Sequence, residues 1–364
     1  MRCTCRIKGR KTTRASLKDF DFNNVKMDTL NSTLKADVPK DECSTQSDED
    51  GCQILGEHET QVLEDSEADL DLHKHYTGCT KNPGHEQFIP VDKFTIQHLP
   101  EDQRDEDLVQ LIKNTAGLTV RMEVRVTSSH RPKYWPNKTR PYPFFHKVKR
   151  TNLRLGSGII WNVHMVQDET AACWCKQCQQ SNSPKHVWWE FYVDTATHVV
   201  FDDEEAKHTS LTLFYDREGS PRVTIDTVRV DKVDIEFDVC MLKGVTCDIC
   251  LGPKLVKIGE HFSESWLKVY DKYSASRDVN KLVYIVSHPH GCPKQISIGQ
   301  WMDKNLAKDK DGTNLYQFTY TTCTCPGSSG ANVQCVGFGV DWPELVHGGC
   351  LRPGVNYSSL CNPS

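Results

Sequence analysis

No stretch of this chain approaches the roughly 18 consecutive apolar residues that a membrane-spanning helix needs, so a bilayer span is not expected. A secretory signal is also missing: the opening MRCTCRIKGRKTTRASLK is basic but has no apolar centre. An arginine-rich, acid-free opening also fits a mitochondrial transit segment, but the default expectation is the cytoplasm. Large net charge is absent. Lys and Arg number 44 against 49 Asp and Glu, for a formal charge of −5, which argues against nucleic acid as a partner. No internal repeat is visible. Without an oxidising compartment, the 17 cysteines are expected to be thiols or metal ligands rather than disulfides, and an odd number cannot all pair within one chain. The Asn-x-Ser/Thr triplets at Asn31, Asn137 and Asn356 carry no weight without secretion.

What is present divides the 364 residues into unlike parts. Residues 1–110 pass from a basic start to acidic, Ser/Thr-dotted stretches (DECSTQSDEDG, LEDSEADLDLHKH) with few apolar residues and no period. They are expected to be a largely disordered, acidic extension. Within it, EDQRDEDLVQLIKNTAG reads as a short helix, with acids in its first turn and glycine near its end. From Leu118 the texture changes. LTVRMEVRVTS, LRLGSGIIWNVHMV, HVWWEFYV, TSLTLFYD, PRVTIDTVRV, KLVYIVS, KQISIGQW, NLYQFTYTT and ANVQCVGFG read as strands separated by turns. GEHFSESWLKVYDKYS reads as a helix midway. Many short strands between turn signals predict an all-β sandwich or barrel.

Three pieces carry chemistry. Acyl transfer by serine needs an exposed hydroxyl, a base, and backbone N–H groups aimed at the developing oxyanion. In TTCTCPGSSGANVQC, Gly327 lets the chain turn, Ser329 stands in the nucleophile position, and Gly330 leaves room for substrate. VDTATHVVFDDEE places His198 just after a strand, and VDIEFDVCML places Asp238 before a short apolar run. Each alone has a bland reading as a turn serine, a surface histidine or a strand-end aspartate. Together they stand in the order His198, Asp238, Ser329 with gaps of 40 and 91 residues. A double-β-barrel protease triad in this order has gaps of about 45 and about 93. The nucleophile elbow of α/β-hydrolases fits less well. It needs glycine where Ala331 stands, and it orders its triad serine, acid, histidine.

At these residues the chain resembles the trypsin-like, chymotrypsin-fold serine peptidases. TATHVVFD is similar to the family's T-A-x-H segment, DVCML to D-I-A-L-L, CPGSSGANV to G-D-S-G-G-P, and LGSGIIW to the G-S-G-F-I strand of members without a propeptide cut. The resemblance spans roughly residues 118–361. It implies two antiparallel six-stranded β-barrels, the first over 118–250 with His198 and Asp238, the second over 251–364 with Ser329. It also implies roles: Ser329 as nucleophile, His198 as general base and then acid, Asp238 orienting the imidazole, and the N–H groups of Gly327 and Ser329 as the oxyanion hole. Ser328 and Asn332 depart from the pattern. Ser328 removes the aspartate that pairs with a freed N-terminus, so activation by that salt bridge is not expected. The resemblance further assigns the pocket to Cys323, Thr324, His347, Gly348 and Gly349. Cys323 in place of an acid excludes a taste for Lys or Arg. Thr324 and His347 are similar to the pair with which glutamyl endopeptidases and picornaviral proteases hold a P1 Glu or Gln. Gly348 and Gly349, after a strand ending in LVHGG, leave an edge for substrate to add as a strand.

Cys173, Cys175 and Cys178 lie close together in ACWCKQCQQ, and CDIC adds Cys247 and Cys250. They are weak candidates for structural zinc; free thiols are the plainer reading, so no metal or cofactor is expected. The histidines of SHPHGCPKQISIG are read as turn residues. The function expected is a monomeric serine endopeptidase acting on protein or peptide substrates. The competing readings are a catalytically silent relative that binds protein through the same cleft, and a zinc-dependent adaptor.

Overall fold

The computed structural model describes residues 53–63, 72–147, 153–308, 314–341 and 345–363. They are mostly β, arranged in two antiparallel sheets of eight and nine strands with one long helix between them in the sequence. The first sheet runs, edge to edge, Val223–Ile225, Thr209–Leu213, Thr119–Val124, Leu153–Gln167, Val187–Thr195, Val239–Thr246 and Val228–Asp234, with Gln61–Leu63 also pairing to Leu153–Gln167. In the second sheet Glu57–His58 is followed by His347–Arg352, Val355–Pro363, Asn314–Tyr320, Gln295–Lys308, Leu282–Ser287 and Val333–Cys335. Phe88–Pro90 adds to Gln295–Lys308 and Val340–Asp341 to Val355–Pro363.

The alternation read from the sequence has its cause in burial. Val120, Met122, Val124, Ile160, Phe191 and Leu242 close one core beneath the first sheet. Val283, Ile285, Phe318, Tyr320 and Val333 close another within the second. The helix Glu106–Leu118 starts at Asp105, whose carboxylate accepts from the Asp107 N–H at 3.0 Å, and Glu106 and Asp107 complement its positive end. It packs Leu108, Leu111 and Ile112 with Val269 and Tyr273 of the helix Leu251–Tyr273. That second helix begins eight residues before the expected GEHFSESW segment, because Leu251 and Leu255 continue its apolar stripe into the first core. No helix among the described residues is long and apolar enough to cross a membrane.

Two expectations are corrected. The strands form sets of eight and nine rather than six and six. The excess comes partly from the segment expected to lack structure: Glu57–His58 ends the second sheet, Gln61–Leu63 pairs with Leu153–Gln167, Phe88–Pro90 pairs with Gln295–Lys308, and the helix Glu106–Leu118 supplies core. Its few apolar residues are spent in contact with the sheets; Leu63 and Leu72 pack on Leu155 and Cys292. The remainder of the 1–110 expectation, at 1–52 and 64–71, lies outside the described residues.

Candidate active site

The turn that carries Ser329 is built by its own backbone. The Ser328 N–H donates to the Cys325 carbonyl at 2.9 Å and the Ala331 N–H to Ser328 at 3.0 Å. Gly327 has φ +98°, and a Cβ there would lie 2.4 Å from the His288 carbonyl, so only glycine fits. The carbonyl of Ser329 accepts from the Ser157 N–H at 2.8 Å, which ties the turn to the first sheet, while the Gly330 N–H reaches the His347 carbonyl at 2.9 Å on the second. Ser328 turns its hydroxyl to that of Ser287, 3.0 Å away.

His198 follows the strand Val187–Thr195 in a turn closed by Val199 N–H to Ala196 O at 3.0 Å. Its Nδ1 lies 2.8 Å from Asp238 Oδ2, and its Nε2 lies 2.8 Å from Ser329 Oγ. Asp238 sits at φ +59°, a conformation short polar side chains tolerate. Its Oδ1 accepts from the His198 N–H at 3.1 Å and from Thr197 Oγ1 at 2.8 Å. All three side chains are buried. The proton positions follow from the partners. A carboxylate only accepts, so Nδ1 carries the hydrogen and Nε2 is left as acceptor. Ser329 Oγ already accepts from the Glu59 N–H at 2.9 Å, so its own hydrogen points to Nε2. This is the arrangement in which imidazole can take the serine proton.

The cleft is filled by the chain itself. The Gly327 and Ser329 N–H groups both donate to the carbonyl oxygen of Glu59, at 2.6 and 3.2 Å. Before Glu59, residues 57 and 58 pair antiparallel with Cys350 and Gly349. After it, Gln61, Val62 and Leu63 pair antiparallel with Leu155, Arg154 and Leu153. Gly349 leaves space for this approach, since a Cβ there would lie 2.1 Å from the Glu57 carbonyl. His58 sits between Phe144 and His198, with ring centroids 4.8 and 5.6 Å away. Burial first, then the nearby His198 and Arg131, lower its pKa to about 3, so it is neutral.

The Glu59 side chain enters a polar pocket. His347 Nε2 donates to Oε2 at 2.7 Å, and Tyr320 hydroxyl lies 2.6 Å from His347 Nδ1. Lys81 Nζ pairs with Oε1 and also donates to Thr324 Oγ1 at 3.1 Å and Asn356 Oδ1 at 2.9 Å. Burial opposes ionisation of Glu59, but His347 and Lys81 outweigh it and hold the carboxyl down at about 2. Burial moves His347 the other way, toward the neutral ring.

Most sequence-predicted residues are therefore brought together: His198, Asp238, Ser329, Gly327, His347 and Gly349 meet in one cleft. Gly348 instead backs onto the Tyr357 ring. The strand expected to end at Gly349 runs instead from His347 to Arg352. Two pocket assignments shift. Thr324 bonds the ammonium of Lys81, which stands between it and the carboxylate, and Cys323 directs its thiol to Gln87. Glu59, Lys81 and Asn356 were missed, because two of them sit in the part read as a polar extension. The signal available was a proline-glycine turn inside CTKNPGH, framed by cysteine and histidine.

Outside the cleft, two groups of soft donors converge. Cys173, Cys175, Cys178 and Cys247 have their sulfurs within 4.8 Å of one another. So do donor atoms of Cys79, His85, His290 and Cys325. Cys250, the fifth cysteine noted, is exposed and belongs to neither.

No family model matches the chain, and no curated protein does. Among solved structures it is similar to the HtrA-type protease AlgW with a tripeptide, at 12% identity and TM-score 0.35, covering 69% of this chain and 58% of that one. It is also similar to Deg5, at 11% identity and TM-score 0.35, covering 72% and 90%. A third is the active form of the Rv3671c protease from M. tuberculosis, at 12% identity and TM-score 0.32, covering 70% and 82%. The chain thus spans less than two thirds of the first of these, and TM-scores of this size carry no argument about its chemistry.

Proposed function

We propose that this chain is a serine endopeptidase that cleaves extended peptide chains after glutamate, on a double-barrel scaffold of the chymotrypsin kind. The observation that supports it is the unbroken relay from Asp238 through His198 to Ser329, with two N–H groups converging on one carbonyl beside the serine hydroxyl. Ser329 Oγ attacks the substrate carbonyl carbon while its proton passes to His198 Nε2. Asp238 stabilises the imidazolium. Gly327 and Ser329 N–H groups hold the oxyanion. His198 then protonates the leaving amine, and water hydrolyses the acyl-enzyme by the same steps reversed.

The pocket supports glutamate over glutamine. His347 donates one hydrogen bond that either side chain accepts, but the Lys81 ammonium rewards charge. Activity-based labelling tests the reading. A fluorophosphonate is expected to modify Ser329 alone, and labelling is expected to vanish in His198→Ala and Ser329→Ala. A folded chain that takes no label even with the Glu59 segment displaced from the cleft would support a protein-binding module instead.

A further inference from the structure

We propose that the chain cuts itself between Glu59 and Thr60. This rests on the endopeptidase reading and names its first substrate. Five contacts place residues 57–63 as a substrate rather than as a neighbouring loop. The upstream residues extend the second sheet at His347–Arg352, and the downstream residues extend the first at Leu153–Gln167, so the strand crosses the cleft from one sheet to the other. The carbonyl at the crossing point lies on both oxyanion donors. The side chain of the same residue fills the acid-binding pocket. The serine hydroxyl lies 2.9 Å from that residue's nitrogen. Glu59 itself is 4% exposed, so a competing chain cannot enter until this segment leaves.

The step balances. Ser329 Oγ bonds to the Glu59 carbonyl carbon and its proton moves to His198. The bond from that carbon to the Thr60 nitrogen breaks, and His198 returns the proton to the new amine. Water then releases Glu59 as a carboxylate and restores the serine. Cutting frees the strand on the non-primed side and opens the cleft to other chains. Ser328 offers no acid to the new Thr60 amine, so opening the cleft, not a salt bridge, is the consequence.

Intact-mass measurement and terminal sequencing of the freshly purified full chain test this. The expected products end at Glu59 and begin at Thr60, at a rate independent of protein concentration. The Ser329→Ala chain stays whole, and Glu59→Ala is cut at least about 100-fold more slowly. A full chain that cleaves glutamyl peptides in trans while its own 59–60 bond persists would overturn self-cleavage and leave the endopeptidase reading standing. A chain that cuts neither would overturn both.

A second inference rests on separate observations. The structure assigns two zinc sites, Cys79-His85-His290-Cys325 and Cys173-Cys175-Cys178-Cys247. In a zinc tetrahedron with bonds of about 2.3 Å to sulfur and about 2.0 Å to nitrogen, donors stand about 3.8 Å apart for two sulfurs and about 3.5 Å for sulfur and nitrogen. Cys79 and Cys325 sulfurs are 3.6 Å apart, and Cys325 Sγ is 3.5 Å from His85 Nε2. Cys247 Sγ is 3.7 Å from both Cys175 and Cys178. His290 Nδ1 donates to Gln61 Oε1 at 3.0 Å, which leaves Nε2 with a lone pair, buried and without a hydrogen-bond partner. Such an outer partner fixes the ligating tautomer of a metal-bound histidine. Backbone N–H groups three residues on also point at sulfur: Asn82 to Cys79 and Cys178 to Cys175, each at 3.4 Å. The first site would pin the segment that carries Lys81 to the loop that carries Ser329.

Elemental analysis of the full chain is expected to give two zinc ions, falling to one in Cys79→Ser/His85→Ala and to one in Cys175→Ser/Cys178→Ser. Zinc-edge absorption on the unmodified chain is expected to average three sulfurs and one nitrogen per ion. Less than one zinc per chain, or a shell dominated by oxygen, would overturn the assignment.

Discussion

At the scale of single residues, a lysine decides what kind of carbonyl the pocket prefers. Lys81 faces a carboxylate inside protein, where an unshielded charge pair is worth more than in water. Lys81→Met keeps length and removes charge. It is expected to lower kcat/KM for P1 Glu peptides by at least about tenfold and to bring Glu and Gln substrates close together, read from matched peptide kinetics. The same pairing sets a pH window. Docked Glu59 titrates at about 2 against an ordinary value of 4.5. Its contribution to holding the segment is complete above the ordinary value and is lost as pH falls through the docked one. In the uncut Ser329→Ala chain, the protection of residues 57–63 against hydrogen exchange, taken relative to the intrinsic rate at each pH, is therefore expected to fall progressively as pH drops below about 4.5 and to be unchanged by this carboxyl between pH 6 and 8.

At the scale of elements, the strands were legible through the apolar residues they send into cores. Val120, Met122 and Val124 alternate along the fully buried Thr119–Val124. Leu282–Ser287 is apolar on both faces because Leu282, Tyr284 and Val286 line one core and Val283 and Ile285 another. The catalytic turns were legible through order and spacing. What escaped notice were strands of two or three residues. Glu57–His58 and Gln61–Leu63 are too short to show a period, and their extended form is set by the strands they join, not by their own composition. The pairing with Gly349 tests this element directly. The three nearest atoms a Cβ would meet there belong to Glu57 and His58 of the docked segment, so Gly349→Val is expected to displace that edge strand and leave the rest of the sheet paired. It is expected to slow cleavage of extended peptides about tenfold or more while leaving the unfolding free energy within about 1 kcal/mol of the parent.

At the scale of the whole molecule, residues 57–63 and 72–118 are built into the two sheets and their cores rather than forming an appendage. They supply the helix that packs on Leu251–Tyr273, strands to both sheets, the pocket lysine and two proposed metal ligands. A chain lacking residues 1–110 is therefore expected to lose part of the core of Leu108 and Val109, to bind at most one zinc, and to unfold at lower denaturant, measured by urea titration beside elemental analysis. Equal stability and two zinc ions in the shortened chain would show that this region contributes nothing. The measurement closest to the central claim is a comparison of kcat/KM for matched peptides with Glu, Gln or Arg at P1. The expected result is cleavage after Glu fastest, after Gln slower, after Arg undetectable, and no turnover in Ser329→Ala. Turnover that survives Ser329→Ala, or a folded chain that cleaves none of the three, would contradict the account.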